Sequence, residues 1–204
     1  MQRQPLLFCA FCMLIFLLGF CEKSGAEQSN AEKGRADRDW SITLYGAKLS
    51  TSSLGQVLIL EAEYKDSYLV DLALSRRFAS YKKYLDFEAE GQVAKHFGDQ
   101  DHWEFVALVV VRWLPFPWDR YVDTSFAAGN GLSYASETPK LEDQKYDDTS
   151  QLLNYLMFEL AFSLPRIPSW SFVVRIHHRS GVLGLFNDVK GASNALGLGI
   201  KYSF

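Results

Sequence analysis

Beyond residue 26 the chain has no cysteine, because all three, Cys9, Cys12 and Cys21, lie near its start. A chain shortened past that point carries no thiol, which excludes a disulfide framework, a thiolate nucleophile and a cysteine metal site. An excess of charge is lacking too. The formal net charge is -3 over 204 residues, too small to point to a nucleic-acid partner. What is abundant is aromatic side chains, at 15%, in a length that suits about one domain.

The first 26 residues have the layout of an export signal. Arg3 gives a positive start, Leu6 to Phe20 an apolar stretch, and Ser24-Gly25-Ala26 a small-residue cleavage site before Glu27. Lipid attachment at Cys21 is the rival reading, but Phe20 is bulky for the position before such a cysteine. Removing Arg3, Lys23 and Glu22 with the signal leaves 19 basic and 23 acidic residues, a net charge of -4. Residues 27–39 are polar and without apolar periodicity, as in a flexible lead-in.

From Trp40 onward apolar residues recur with a period of two, which is strand periodicity. Leu58, Leu60, Ala62 and Tyr64 share one parity; Trp103, Phe105, Ala107, Val109, Val111 and Trp113 share another; Leu196, Leu198, Ile200, Tyr202 and Phe204 close the chain in the same way. The expected strands are 55–64, 67–78, 84–96, 102–114, 119–135, 149–164, 169–180 and 195–204. Residues 119–135 are the least regular, with Asn130 on the apolar parity. Trp40 to Leu49 fits a ninth strand, a longer first strand or a periplasmic lead-in. The last is preferred, because nine strands would leave the termini on opposite sides. The expected organisation is therefore a signal at 1–26, a lead-in at 27–54 and a barrel at 55–204.

Alternation alone suits either a soluble ligand-carrying barrel with its apolar face inside or a transmembrane barrel with that face against lipid. Four features favour the all-β, eight-stranded antiparallel transmembrane barrel of outer-membrane type. Many strands are long enough to cross a bilayer at a tilt, aromatics such as Trp103, Trp113, Trp118 and Trp170 cluster at strand ends, the polar rows carry carboxylates and guanidinium groups that would be costly in a dry core, and the chain ends on an alternating strand closed by Phe204. Pro115-Phe116-Pro117 and Pro165-Arg166-Ile167-Pro168 suit short periplasmic turns, and Ser136 to Asp148 a long outer loop. An eight-stranded lumen is filled by side chains.

On the seventh strand Trp170, Phe172, Val174, Ile176, His178 and Ser180 share one parity, while Arg175, His177 and Arg179 share the other. The first row is apolar up to its last two members and so faces lipid. His178 and Ser180 therefore point outward near the outer-leaflet interface, two residues apart, in the nucleophile-plus-base arrangement of acyl transfer. Interfacial anchoring without chemistry is the alternative for this pair. His177 is read as a lumenal partner of a carboxylate. His96 and His102 could form a metal pair, but no third ligand has convincing spacing in the sequence, so no metal site is expected.

The His178-Arg179-Ser180 stretch on the penultimate strand, with the ending Gly199-Ile200-Lys201-Tyr202-Ser203-Phe204, resembles the outer-membrane lipid A 3-O-deacylases. The resemblance implies an eight-stranded barrel whose serine attacks the ester at the lipid A 3-position, with histidine as base and a downstream acid orienting it. By that resemblance Ser180 is the nucleophile and His178 the base. Two departures stand out. The asparagine usual after the serine is Gly181 here, which leaves a backbone N–H as oxyanion donor, and no glutamate follows Glu159. Asn194, on the lipid-facing parity of the last strand, takes the acid's place as orienting group, with Asp188 in the preceding loop as the alternative.

The expected function is thus an outer-membrane ester hydrolase acting on lipid A of lipopolysaccharide in the outer leaflet, without a cofactor. A non-catalytic barrel with a structural or lipid-binding role is the alternative, and homodimerisation is left open.

Overall fold

The computed structural model describes residues 38–139, 150–181 and 192–204. Eight strands close into an antiparallel barrel in sequence order: β1 (Trp40–Ser50), β2 (Tyr64–Tyr81), β3 (Leu85–Gly98), β4 (Trp103–Trp113), β5 (Asp123–Ala135), β6 (Leu152–Ser163), β7 (Trp170–Ser180) and β8 (Ala192–Ser203). The seam is sealed by β8 on β1, where Trp40 N–H donates to the Phe204 carbonyl at 3.0 Å and Phe204 N–H to the Trp40 carbonyl at 2.8 Å. Both strand-bearing ends of the chain therefore share one rim, the terminal rim. His178 and Ser180 sit at the opposite, distal rim.

Two expectations about the start of the barrel are corrected. Residues 40–50 are the first strand, not a lead-in, and the strand expected at 55–64 is absent, with only Tyr64 in the sheet, as the first residue of β2. The row of β1 that faces the lumen is Thr43, Tyr45, Ala47 and Leu49, largely apolar, so the polarity contrast that marks β3 and β8 is blurred. In its turn, the alternation at Leu58 to Tyr64 is overridden by local capping. Ser53 opens a short helix, α1 (Leu54–Leu58), in a capping box: its hydroxyl accepts from Gln56 N–H at 3.3 Å while the Gln56 side chain accepts from Ser53 N–H at 2.9 Å. Leu60 then adopts a left-handed φ of 60° and ends the turn. One segment enters the sheet as the other leaves it, so the count of eight stands. Residues 119–122 likewise belong to a turn, which Asp119 ties by accepting from the N–H groups of Phe116 and Thr124.

The oily rows point outward. Leu198 is 56% exposed, Val109 54% and Leu44 49%. Aromatic residues ring both ends of this face. Trp170, Tyr202 and Phe204 pack in sequence at the terminal rim, with centroids 4.8 and 5.9 Å apart; Tyr68 and Trp103 lie at the distal rim beneath the ammonium groups of Lys48 and Lys95. Such belts belong where hydrocarbon meets headgroups.

The lumen is filled, not open. Arg175, fully buried, bonds Glu90 through Nη1 at 2.8 Å and Glu159 through Nε at 2.9 Å. Arg112 holds Glu88 at 2.6 Å and Glu159 at 3.0 Å, and Lys201 also reaches Glu159. Three cations thus meet three carboxylates, the pairing that makes buried charge tolerable. Glycines make room for this core: a Cβ on Gly199 would lie 2.5 Å from the Tyr45 Cβ, and one on Gly129 2.6 Å from Leu108 Cδ1.

This orientation gives a stability prediction. Leu44 sits midway along β1 with its side chain on the outer face, so Leu44→Arg is expected to cost about 2–4 kcal/mol, as for a cation at the bilayer midplane. Urea titration of the protein folded into lipid vesicles measures it.

Candidate active site at the distal rim

β7 rises from the turn at 164–169 and delivers His178 and Ser180 to the distal rim, both half-buried and both on the outer face. Antiparallel pairing places His178 opposite Asn194 of β8 and opposite Leu156 of β6, and Ser180 opposite Asn154 of β6. The His178–Asn194 pair is bonded. Nδ1 lies 2.7 Å from Asn194 Oδ1, while Asn194 Nδ2 donates to the Ser52 carbonyl at 2.7 Å.

That second bond fixes the chemistry of the first. A carbonyl only accepts, so the Asn194 NH2 must face Ser52 and the amide oxygen must face the imidazole. His178 therefore carries its proton on Nδ1, and the lone pair that can take a proton is on Nε2. Asn194 is only 1% exposed. The Ser52 carbonyl that anchors it belongs to the β1–β2 connection, itself pinned where Ser50 Oγ donates to the Glu63 carbonyl and Glu63 N–H donates to Ser52 Oγ. Among the described residues the Ser180 hydroxyl has no side-chain hydrogen bond, a looseness common in sites without substrate. Gly181 follows directly at the end of β7. Asp188 lies outside the described residues.

Two more polar side chains join this patch. Asn154 Nδ2 donates to the Gly131 carbonyl at 3.1 Å, and Asn130 Nδ2 donates to Asn154 Oδ1 at 3.2 Å and to the Tyr155 carbonyl at 3.2 Å. A strip of outward polar groups thus runs from Asn130 on β5, through Asn154 on β6 and Ser180 with His178 on β7, to Asn194 on β8. Asn130 on the apolar parity was the sequence signal for this strip. Asn154 gives no such signal alone, since only the β6–β7 register puts it beside Ser180.

His177, one residue from His178, points the other way. Its Nε2 is 3.1 Å from Glu104 Oε2, and the Tyr45 hydroxyl meets its Nδ1 at 3.0 Å, so it is the lumenal carboxylate partner expected. Near it, His96 Nε2 lies 2.8 Å from Glu104 Oε2, and His102 stacks on His96 with centroids 4.1 Å apart. The structure therefore supplies what the sequence spacing did not, a third potential ligand, Glu104, beside the two histidines. His102 lies in the β3–β4 turn, where burial, and then the neighbouring His96, push its pKa down to about 4.

No family model matches the chain, and no curated protein matches it. Solved structures do. The outer membrane enzyme PagL is 12% identical, with a TM-score of 0.53 over 80% of this chain and 99% of that one. Neisserial surface protein A is 16% identical, with a TM-score of 0.50 over 81% of this chain and 97% of that one. At these identities the likeness is one of fold: this chain has the architecture of the small eight-stranded outer-membrane barrels.

Proposed function

We propose that the protein is an outer-membrane ester hydrolase that removes the ester-linked acyl chain at the 3-O position of lipid A, with Ser180 as nucleophile, His178 as base and Asn194 as orienting group. The observation that carries this reading is the 2.7 Å bond from His178 to Asn194 on the lipid-facing side of the distal rim, two residues from Ser180. Polar groups on that face cost stability, and a histidine held in one tautomer beside a hydroxyl is what acyl transfer requires. The resemblance of the His178-Arg179-Ser180 stretch to lipid A 3-O-deacylases supplies the substrate class, and the fold shared with an outer membrane enzyme supports it.

In this mechanism Ser180 Oγ attacks the ester carbonyl carbon while its proton passes to His178 Nε2. Asn194 Oδ1 accepts from Nδ1–H and keeps the ring oriented. The oxyanion is met by the backbone N–H of Gly181. Collapse breaks the ester C–O bond, and the sugar hydroxyl leaves with the proton held on Nε2. A water, deprotonated by Nε2, then attacks the acyl-serine, and Nε2 returns the proton to Ser180 Oγ as the C–O bond breaks and the fatty acid leaves. No cofactor takes part. Substrate arrives laterally in the outer leaflet, with the distal rim outward and residues 1–26 removed on export.

Mass spectrometry of lipid A from a Gram-negative host tests this. Cells making the protein are expected to lose one ester-linked acyl chain, and cells making Ser180→Ala to keep it. An unaltered profile with the wild-type protein folded in the outer membrane supports the non-catalytic barrel instead.

A further inference from the structure

The distal end of the lumen contains a second cluster that the ester-cleaving site does not use. His96 near the end of β3, His102 in the β3–β4 turn and Glu104 at the start of β4 all point inward and are all buried, and one donor atom from each lies within 4.8 Å of the others. They border a cavity of about 10 Å³, room for one water or one ion. We propose that this cavity is a divalent transition-metal site, with zinc as the ion its two imidazoles and one carboxylate suit.

Four observations support it. The donor set is that of zinc proteins, in which ligands about 2.0–2.1 Å from a tetrahedral ion lie roughly 3.3 Å from one another. His96 Nε2 and Glu104 Oε2, at 2.8 Å, are already near that spacing, and a nitrogen of His102 lies within 4.8 Å of both. Among the described residues the His102 ring has no side-chain hydrogen bond; it only stacks on His96. Its ring nitrogens therefore have no competing side-chain partner to give up on binding an ion.

The third observation is Gln100. Its Nε2 meets His96 Nδ1 at 3.1 Å, which leaves its buried Oε1 without a partner. Metal at His96 Nε2 moves the ring's single proton to Nδ1. Gln100, its amide turned over, then accepts a hydrogen bond from Nδ1–H through Oε1, the outer-sphere bond that metal-bound histidines usually make. The rearrangement gives Oε1 a partner, and no proton is gained or lost.

The fourth is charge. Glu104 is the negative ligand, and the nearby Arg179 is committed elsewhere: it donates to Ser133 Oγ at 3.0 Å and to the carbonyls of Ser150 and Gln151 at 2.7 and 2.5 Å. His177, bonded to Glu104 from the other side, holds the carboxylate in place. The ion would tie the β3–β4 turn to the wall of the barrel.

The test uses the mature chain without a histidine tag, folded in detergent micelles and stripped with a chelator. Titration calorimetry with zinc chloride is expected to show one ion per chain. Its affinity should fall tenfold or more in His102→Ala and in Glu104→Gln, and Ser180→Ala should bind as wild type does. Cobalt in place of zinc should give the intense visible absorption of a tetrahedral site, absent in His102→Ala. His102 is in a turn, and far-UV circular dichroism verifies that its variant is folded. Absence of saturable uptake, or uptake unchanged in folded His102→Ala, overturns the proposal.

Discussion

Ser180→Ala and His178→Ala are each expected to lower kcat/KM for ester cleavage by about 10⁴-fold or more, and the double variant is expected to be no slower than either single one. The non-additivity follows from the proposed division of labour. Without the hydroxyl there is nothing for the imidazole to deprotonate; without Nε2 the hydroxyl keeps its proton. Asn194→Ala should cost less. It removes the acceptor that holds Nδ1–H at 2.7 Å, so the ring samples other orientations and tautomers, but the base survives. Kinetics on a short-chain ester in micelles separate the three variants, and additive losses at Ser180 and His178 would show that the two do not act as a unit.

Arg175→Leu should be the most damaging substitution to stability, costing about 3–5 kcal/mol, the range for breaking a buried ion pair from one side. Glu159 keeps Arg112 and Lys201, so the orphan is Glu90. Its remaining partners, Ser75 Oγ at 2.5 Å and Gln92 Nε2 at 2.7 Å, are neutral. Adding Glu90→Gln to Arg175→Leu removes the stranded charge and should recover most of the loss. Urea unfolding in lipid vesicles measures both steps; equal stability of the single and double variants would mean that Glu90 is not the group left uncompensated.

The reach of the sequence follows from what each strand contrasts. On β3 and β8 apolar rows alternate with polar or small ones, so strand, parity and facing could all be read. β1 escaped because Tyr45, Ala47 and Leu49 make its inner row as apolar as its outer one, and Leu58 to Tyr64 misled because capping by Ser53 and Gln56 outweighed a short alternation. Asn194 was legible by parity. Its bond to the Ser52 carbonyl was not, because Ser52 lies 142 positions away, across the seam that closes the barrel. Asn154 and Glu104 were hidden for a similar reason: cross-strand register puts the first beside Ser180, and the β3–β4 turn brings the second against His96.

What the functional reading needs above all is that Ser180 is an activated nucleophile reached from the lipid side. A fluorophosphonate carrying a long acyl chain, added to vesicles that hold the folded protein and followed by peptide mass mapping, probes that directly. The predicted result is one phosphonyl adduct per chain, on Ser180, lost in His178→Ala. Folded wild-type protein that remains unmodified at Ser180 would contradict it.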